Sequence, residues 1–288
     1  MPNRTHPRLE ITPELARLLK AALAEDVGAG DATTRSIVPG KLKGRGEIIA
    51  KAAGVLCGAA IADHVWRLAD KKIAVKWLLK DGDRVAPGDR VAEMTGPMAG
   101  LLTGERVALN FLQRLSGIAT LTAKFHAAAG GPAGPLICDT RKTTPLWRRL
   151  ERYAVAVGGG TNHRFGLFDM VLIKENHARA AGGLGEAIRR ARKGAPGLRI
   201  AAEARDAAEV RECCECHADL ILLDNFTPAR VRAVIERFRP AGIPFEISGG
   251  VSLKNIAEYA KAGADRISIG ALTHSAPALD LSVQLYQE

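Results

Sequence analysis

From about Gly134 onward, short apolar segments alternate with amphipathic ones, and this alternation restricts the possible fold more than any other feature of the sequence. The apolar segments predict strands at 136–138, 170–173, 199–202, 220–223, 244–247 and 266–269. The segments between them predict helices at 145–157, 183–193, 206–216, 227–238 and 252–262. Such a pattern indicates a parallel sheet whose outer face is covered by helices. We therefore predict a β/α barrel in this half of the chain.

Each predicted strand ends in a charged residue or a glycine-rich turn. The strand-ending groups are Asp139, Lys174, Glu203, Asp224, Ser248-Gly249-Gly250 and Gly270-Ala271. In a β/α barrel the active site lies at the carboxyl ends of the strands. Asp206, Thr227 and Ser252 are suited to cap the helices that follow. The pattern predicts a functional site formed by these strand ends.

The N-terminal part has a different organisation. Leu15, Leu18 and Leu19 lie on one face of a helix predicted at 11–25, and a long helix is predicted from about 104 to 128. Strands are predicted at 45–57 and 73–94, with tight turns at Asp81-Gly82 and Pro87-Gly88. These elements predict a smaller α/β sandwich that precedes the barrel.

Composition limits the classes of function. The 288 residues carry a net charge of +10, which is typical of either a nucleic-acid surface or a site for a small polyanion. Aromatic residues make up only 5%, and no basic run is interleaved with them, which argues against nucleic acid. No segment predicts a signal peptide or a membrane span, and the five cysteines are interpreted as reduced thiols. We expect a cytoplasmic protein with no nucleic-acid or membrane partner.

Cationic and hydrogen-bonding residues are concentrated in three short runs between Cys138 and His177. Five of their side chains are donors suited to carboxylate or phosphate: Arg141, Lys142, His163, Arg164 and Lys174. Gly158-Gly159-Gly160 is predicted to end a helix, so that the segment after it turns into the pocket. We therefore expect a ligand with several negative charges.

Two other clusters have simpler interpretations. Arg148, Arg149 and Arg152 follow on a helix, and we interpret them as surface ion-pairing residues. The run Cys213-Cys214-Glu215-Cys216-His217 suggests zinc, but consecutive helical cysteines point to different faces and no second Cys/His cluster supplies the remaining ligands. We interpret these cysteines as partly buried thiols.

The chain resembles the quinolinate phosphoribosyltransferase family, also called nicotinate-nucleotide pyrophosphorylases. The likeness covers nearly the whole chain. Besides the three cationic runs, it rests on 25–31, 104–120, Ser248-Gly249-Gly250 and 267–275. The resemblance implies the type II phosphoribosyltransferase fold, an α/β sandwich beside an open α/β barrel. It places the sandwich at 1–115, joined by the C-terminal segment 272–288, and the catalytic barrel at 116–271.

The resemblance also implies an activity. The family transfers the phosphoribosyl group of phosphoribosyl pyrophosphate to quinolinate with Mg²⁺, giving nicotinate mononucleotide, pyrophosphate and CO₂ in NAD biosynthesis. Members are homodimers, and whether this chain assembles further is left open. The position of Arg106 matches one that the family supplies from the neighbouring subunit.

Residue roles follow from the same likeness. Quinolinate is expected at Arg141, Arg164 and Lys174, with His163 and Lys142 beside them, while Glu203 and Asp224 are expected to contact the ribose and help place the metal. The catalytic residues would be Lys142, Lys174, Glu203 and Asp224. The full substrate-binding set would be Arg106, Thr140, Arg141, Lys142, His163, Arg164, Lys174, Glu203, Asp224, Ser248, Gly249, Gly250, Ile269, Gly270 and Ala271.

The sequence departs from the family pattern at two places. Arg205 stands where members often have a second acidic residue, and Ala156 and Val157 stand where they often have a basic one. Two alternatives remain open: a related protein on the same fold that uses another acceptor, and a basic nucleic-acid-binding protein without catalysis.

Overall fold

The computed structural model describes residues 9–288, and they divide into two compact units. The first unit comprises the chain up to Leu121 together with Pro145–Gly158 and Ala276–Glu288. The second comprises Thr122–Thr144 and Gly159–Ser275. The helical segment Pro145–Gly158 thus groups with the first unit, whereas the sequence pattern assigned it to the barrel domain.

The helices, in chain order, are α1 Pro13–Val27, α2 Ala32–Ile37, α3 Ala59–Ala69, α4 Met98–Ala128, α5 Arg148–Val157, α6 Glu175–Ala181, α7 Leu184–Gly194, α8 Ala207–Glu215, α9 Pro228–Phe238, α10 Ile256–Ala260 and α11 Ala271–His274. The strands are β1 Lys43–Ala50, β2 Gly54–Val55, β3 Ala74–Trp77, β4 Arg84–Val85, β5 Arg90–Pro97, β6 Leu136–Cys138, β7 Val171–Ile173, β8 Ile200–Ala204, β9 Leu220–Asp224, β10 Phe245–Ser248, β11 Arg266–Ser268 and β12 Leu281–Gln287. No helix within residues 9–288 combines the length and the apolar character that crossing a bilayer requires.

The first unit is built on a four-stranded antiparallel sheet in the order β12-β1-β5-β3. The predicted strand 45–57 is divided into β1 and β2, and the predicted strand 73–94 into β3, β4 and β5. The predicted turns are confirmed, because Gly82 and Gly88 both have positive φ angles at the ends of these strands. The C-terminal strand β12 pairs with β1 along its whole length, so the end of the chain returns to this sheet.

Helix α5 is held to the first unit by polar and aromatic contacts. Glu151, which is fully buried, lies 3.3 Å from the Arg114 guanidinium, and the Tyr153 hydroxyl donates to the Asp81 carboxylate at 2.7 Å. Just before the helix, the Trp147 ring stacks on Phe111 at 4.4 Å. These contacts explain why α5 belongs to the first unit. Its position in the sequence, between two barrel strands, does not indicate this.

The second unit contains a six-stranded parallel sheet in the order β6-β11-β10-β9-β8-β7. Its first two strands along the chain, β6 and β7, lie at the two edges and do not pair with each other. The sheet is therefore an open barrel, as the family likeness implied.

The strand register sorts the barrel interior into layers, because alternate residues of a strand point to the same face. Ala201 and Leu220 belong to an apolar cluster that includes Met170 and Leu222. Two residues further along the strands, Glu203 lies opposite Leu222, and Leu222 opposite Glu246. Two residues beyond these, polar residues share a row: Asp224, Ser248 and Ser268. The interior changes from apolar to polar toward the carboxyl ends.

Two of the three predicted helix N-caps are confirmed. The Asp206 carboxylate accepts from the amides of Ala208 and Glu209, and the Thr227 hydroxyl accepts from Arg230, as predicted. The prediction for Ser252 is wrong: the helix begins at Ile256 with Asn255 at the N-cap, because the Asn255 side chain accepts the Ser252 amide and holds the preceding residues in a turn. Helices α2, α3, α6 and α11 were not predicted.

We predict that Ser116→Ala destabilises the first unit by about 1–3 kcal/mol, because it leaves buried backbone groups without partners. The fully buried Ser116 hydroxyl accepts from the Cys57 amide at 2.9 Å and donates to the Cys57 carbonyl at 3.1 Å. Urea unfolding followed by tryptophan fluorescence measures the effect, since Trp66, Trp77 and Trp147 all lie in this unit.

Ser36→Ala is the matched control, because the Ser36 hydroxyl is exposed and bonds only within its own helical turn, to the Ala32 carbonyl. Its effect should stay within about 0.5 kcal/mol. Equal losses in the two variants would contradict the proposed importance of the buried pair.

Candidate functional site

A cavity of about 610 Å³ opens at the carboxyl ends of the barrel strands in the second unit. Eleven of the residues named from the sequence line it: Thr140, Arg141, Lys142, His163, Arg164, Lys174, Glu203, Asp224, Ser248, Gly249 and Gly250. The cavity thus brings together residues from strand ends and loops that are far apart in the sequence.

The segment 161–164 lies along the open edge of the barrel. Thr161 forms an isolated parallel bridge with Cys138, and its amide donates to the Ile137 carbonyl at 2.7 Å. The carboxylate of Asp139, which is fully buried, accepts from the His163 amide at 2.7 Å. These bonds attach the segment to β6, so that His163 and Arg164 line the cavity.

Arg164 is held at the opposite side of this opening as well. Its guanidinium donates to the Met170 carbonyl at 3.0 Å, immediately before β7. Burial, followed by the charge of Arg141, lowers the pKa of the Arg164 guanidinium, whereas Asp169 and Glu203 act in the opposite direction. The charge of Arg141 thus disfavours the charged form of Arg164, and an anionic ligand near both guanidinium groups would relieve this repulsion.

Lys174 follows β7 and forms an ion pair with Glu203 at the end of β8. The Lys174 amide donates to His177 Nδ1 at 3.0 Å, which fixes the start of α6. The Lys174 side chain is 52% exposed, whereas that of Glu203 is 12% exposed. The ammonium group therefore remains accessible to a ligand while the carboxylate is held at the barrel wall.

The turns after β9 and β10 form the third side of the cavity. Asn225 has a positive φ of 58° and its side chain donates to the Asp224 carboxylate at 2.9 Å. The Asn225 amide donates to the Ser248 carbonyl at 2.8 Å, which links the two strand ends. A Cβ atom at Gly249 would lie 2.2 Å from Asn225 Oδ1, so the close approach of the two turns requires glycine there.

Helix α10 does not lie directly after the glycine turn 248–250, where the sequence suggested it. We expected a helix starting near Ser252 to present its positive end to the glycine turn. Helix α10 instead begins at Ile256 and has five residues. The turn 248–250 therefore offers glycine backbone without an adjacent long helix.

Four residues named from the sequence do not appear in the cavity lining within the described part of the chain: Arg106, Ile269, Gly270 and Ala271. Arg106 is exposed on α4 in the first unit. Gly270 lies beside Lys142, since a Cβ atom there would be 2.9 Å from Lys142 Cδ. The Thr273 hydroxyl of α11 donates to the Lys142 carbonyl at 2.6 Å, so the last barrel loop supports the lysine.

The cavity lining also includes five residues that sequence reasoning did not select: Leu172, Leu222, Asn225, Glu246 and Ser268. Glu246 is the most informative of them, because it is fully buried in the middle of β10. A charged residue flanked by Phe245 and Ile247 in an apolar strand could have indicated an inward-facing functional group. Arg205, the departure from the family pattern, instead pairs with Glu175 and Glu209 and does not line the cavity.

A larger cavity of about 890 Å³ lies in the first unit. Its charged lining residues are mainly acidic, with Glu10, Asp63 and Asp81 against Lys80. The Asp81 carboxylate also accepts from the Gly58 and Ala59 amides at 3.0 Å, so it is already engaged. This cavity is larger than the barrel cavity but does not suit a polyanion.

The barrel cavity separates its charges. Its four Lys and Arg residues come from the segments after β6 and before and after β7, whereas its carboxylates Glu203, Asp224 and Glu246 come from β8, β9 and β10. The cationic side can bind carboxylate or phosphate groups, and the carboxylate side can bind hydroxyls or stabilise positive charge.

Comparison with known proteins identifies the family of this chain. Residues 31–116 match the family model for the quinolinate phosphoribosyl transferase N-terminal domain, and residues 118–284 match that for the C-terminal domain. A probable nicotinate-nucleotide pyrophosphorylase [carboxylating] of Bacillus subtilis (strain 168) is 43% identical over 273 residues, covering 94% of this chain and 93% of the relative.

Two further matches extend the comparison. The nicotinate-nucleotide pyrophosphorylase [carboxylating] of Homo sapiens is 38% identical, covering 94% of this chain and 92% of the relative. The crystal structure of NadC from Streptococcus pyogenes superposes with a TM-score of 0.93 at 39% identity, covering 98% of this chain and all of that one (100%).

We predict that Gly249→Ala lowers the free energy of unfolding by about 2–4 kcal/mol, since a left-handed alanine and a steric clash are added together. Gly250→Ala is the matched control: Gly249 has φ of 89° and Gly250 of 66°, but a Cβ atom at Gly250 meets open space. The control should lose about 1 kcal/mol. Denaturant unfolding followed by circular dichroism measures both, and equal losses would show that contact with Asn225 is unimportant.

Proposed function

Because this chain belongs to the quinolinate phosphoribosyltransferase family, we propose that its barrel cavity binds both substrates of the family's reaction. The chain catalyses transfer of the phosphoribosyl group of phosphoribosyl pyrophosphate to quinolinate, with loss of CO₂, to form nicotinate mononucleotide and pyrophosphate. It therefore acts in NAD biosynthesis. The roles of its own residues in that reaction are the subject of the proposal.

The observation that carries the proposal is the convergence of Arg141, Arg164 and Lys174 on one cavity. Quinolinate has carboxylates on adjacent ring carbons, so its binding requires several cations within a small volume. Guanidinium groups can bind each planar carboxylate through two parallel hydrogen bonds, which lysine cannot reproduce. We assign the two arginines to the carboxylates, with Lys174 completing the cationic side and the segment of His163 positioned beside it.

The carboxylates on the opposite side suit the ribose. As pyrophosphate leaves, the anomeric carbon gains oxocarbenium character, and fixed negative charge nearby stabilises that transition state. Glu203 and Asp224 lie at the ends of neighbouring strands and line the cavity. We propose that they bind the ribose hydroxyls, and that Glu203 exchanges its contact with Lys174 for one of them.

The glycine turn and Lys142 suit the phosphate groups. Gly249 and Gly250 leave backbone amides accessible to an anion, and Thr140 and Ser248 add hydroxyls at the same cavity. Lys142 is exposed and supported by α11, where Gly270 gives it room. We propose that Lys142 neutralises phosphoryl charge and that Ile269, Gly270 and Ala271 act by placing this lysine.

The cationic side of the cavity would also act in the decarboxylation that follows phosphoribosyl transfer. The quinolinate nitrogen forms a bond to the anomeric carbon while the bond to pyrophosphate breaks, and the ring becomes a pyridinium cation. The carboxylate on the ring carbon next to that nitrogen then leaves as CO₂, and this ring carbon keeps the electron pair of the broken bond until it takes a proton from water. Arg141 and Arg164 would orient this carboxylate, while the ring's own positive charge stabilises the electron pair.

We propose that Mg²⁺ accompanies phosphoribosyl pyrophosphate. Within residues 9–288, no group of three or more His, Cys, Asp or Glu residues is arranged to hold a metal by itself. Two carboxylates, those of Glu203 and Asp224, do line the cavity, and Mg²⁺ is commonly held by one or two carboxylates together with substrate phosphates. When bound there, the ion would supply positive charge to the departing pyrophosphate.

We also propose a homodimer in which Arg106 reaches the cavity of the partner subunit. Arg106 is exposed, and its role would be to complete the cationic side. Large apolar side chains are also exposed on the loop beside Arg164, with Leu167 at 73% and Phe168 at 72%. An exposed apolar loop of this kind favours a protein interface.

A cytoplasmic location is part of the same proposal. All five cysteines are free, and Cys57, Cys138 and Cys213 are buried. Unpaired thiols favour a reducing compartment, where disulfides are rare.

We predict that Arg141→Ala lowers kcat/KM by about 100-fold or more, because an unpaired substrate carboxylate loses a charged hydrogen-bond partner. The side chain is exposed, so folding should be unaffected. The measurement is formation of nicotinate mononucleotide from both substrates, with Mg²⁺ and after its removal by EDTA, which should suppress product. Arg190→Ala is the control, since Arg190 pairs with Glu186 on the surface of α7.

The same proteins separate the alternatives. Wild-type protein that binds phosphoribosyl pyrophosphate but not quinolinate would favour a related protein with another acceptor. Salt-sensitive binding to nucleic acid that survives Arg141→Ala, without product formation, would favour the nucleic-acid-binding alternative.

We predict that mixing Arg106→Ala and Lys174→Ala proteins restores about a quarter of wild-type activity if subunits exchange at random. Half of the dimers would then be mixed, and each mixed dimer would contain one intact site. Product formation after dissociation and reassociation measures the recovery.

Lys174→Ala mixed with Glu203→Ala is the matched control, because both residues line the cavity of the same chain. This mixture should recover no activity. A failure of the first mixture to recover, in heterodimers shown to form, would contradict a shared site.

A further inference from the structure

Glu246 forms a buried polar cluster beneath the cavity. Its carboxylate is fully buried, and its Oε1 accepts from the Ser268 hydroxyl and lies 3.3 Å from His163 Nε2. Its Oε2 lies 3.1 Å from Nε of Arg266, whose terminal nitrogen donates to Cys138 Sγ at 3.3 Å. Three donor groups therefore face one carboxylate.

These contacts determine the tautomer of His163. The Arg164 amide donates to His163 Nδ1 at 2.7 Å, so Nδ1 must present a lone pair. The ring proton is then on Nε2 and points to Glu246. The imidazole is only 8% exposed, and both of its nitrogens face protein groups. An imidazolium would place two N–H donors against each other at Nδ1.

The same bonds orient the quinolinate arginine. Arg164 is held at its backbone by His163 and at its guanidinium by the Met170 carbonyl at 3.0 Å. The main chain of this segment is fixed by Asp139, which accepts the His163 amide. If Nδ1 carried a proton, it could not accept from the Arg164 amide. The backbone from which the Arg164 side chain extends would then be held less firmly.

We propose that Glu246 is a positioning residue for quinolinate recognition, acting through the tautomer of His163 on Arg164. This inference rests on the proposed function, in which Arg164 binds a quinolinate carboxylate. Burying a carboxylate is costly, and the Arg266 ion pair offsets that cost. One oxygen of the carboxylate can accept from Ser268 and His163 while the other faces Arg266 as an ion pair, whereas no neutral side chain of the same size offers two such oxygens.

Glu246→Gln tests the proposal because it keeps the shape and removes acceptors. An amide has one oxygen, so if that oxygen faces Arg266 the NH₂ group faces His163 and forces the proton from Nε2 to Nδ1. The Arg164 amide then loses its acceptor. We expect the KM for quinolinate to rise about tenfold, while kcat and the KM for phosphoribosyl pyrophosphate change less than about threefold.

The tautomer is measured directly by long-range ¹H–¹⁵N correlation NMR of the histidine-labelled full-length enzyme. His163→Gln identifies the His163 signal among the seven histidines. The wild type should show a neutral ring with the proton on Nε2, and Glu246→Gln should show a shift toward Nδ1. A wild-type ring protonated on Nδ1, or on both nitrogens, would overturn the proposal even if the variant did not fold.

Two controls separate positioning from loss of stability. Ser268→Ala removes another donor to Glu246 Oε1 but leaves the His163 contact, so the tautomer should be retained. Glu151→Gln removes a fully buried carboxylate that pairs with Arg114 in the first unit. It should lower stability without raising the KM for quinolinate.

The cationic quinolinate site and the positioning role of Glu246 can be tested separately. If Arg164→Ala left the KM for quinolinate unchanged, the proposed cationic site would be wrong. If Arg164→Ala raised it at least about tenfold and folded Glu246→Gln did not raise it, the positioning role alone would be overturned.

Discussion

The bond from the His163 amide to the buried Asp139 carboxylate is the interaction on which the rest of the site depends. It attaches the segment 161–164 to the end of β6, beside the bridge between Thr161 and Cys138. The next residue, Arg164, reaches the Met170 carbonyl just before β7. One short segment thereby connects β6 and β7, the two edge strands of the open sheet, which do not pair with each other. Without this segment, Arg164 would not be held near Arg141 and Lys174 in the cavity.

The carboxylates beneath the cavity, those of Asp139 and Glu246, are both fully buried. Asp139 accepts the His163 amide, and Glu246 forms an ion pair with Arg266, so each interior carboxylate has a partner that offsets the cost of its burial. Burial raises the pKa of the neighbouring Cys138 to about 12, with Glu246 adding to the effect and Arg266 opposing it. This thiol therefore stays protonated at neutral pH and serves as a packing group and weak acceptor, not as a nucleophile.

The sequence predicted those features that depend on local periodicity and on strand ends. The strand-ending Lys174, Glu203 and Asp224, and the caps Asp206 and Thr227, follow from neighbours along the chain. A charge within an apolar strand could have indicated that Glu246 faces inward. Its role could not be predicted, because it depends on His163, Ser268 and Arg266, which come from different segments. The grouping of α5 with the first unit similarly depends on distant partners such as Arg114. Helices α2 and α6 are six and seven residues long and give little periodic signal.

The order of strands explains how one cavity can serve two opposite electrostatic demands. A dicarboxylate requires converging cations, whereas a ribose that becomes cationic requires negative charge, and mixing the two at random would let them neutralise each other. In the order β6-β11-β10-β9-β8-β7, the residues after β6 and around β7 meet at the open edge, while Glu203, Asp224 and Glu246 lie on the interior strands. The topology therefore segregates the charges before any ligand binds. The pair of Lys174 with Glu203 crosses between the two sides, at the junction of β7 and β8. Binding of a carboxylate to the lysine and of a hydroxyl to the glutamate would replace that contact and leave the separation of charge intact.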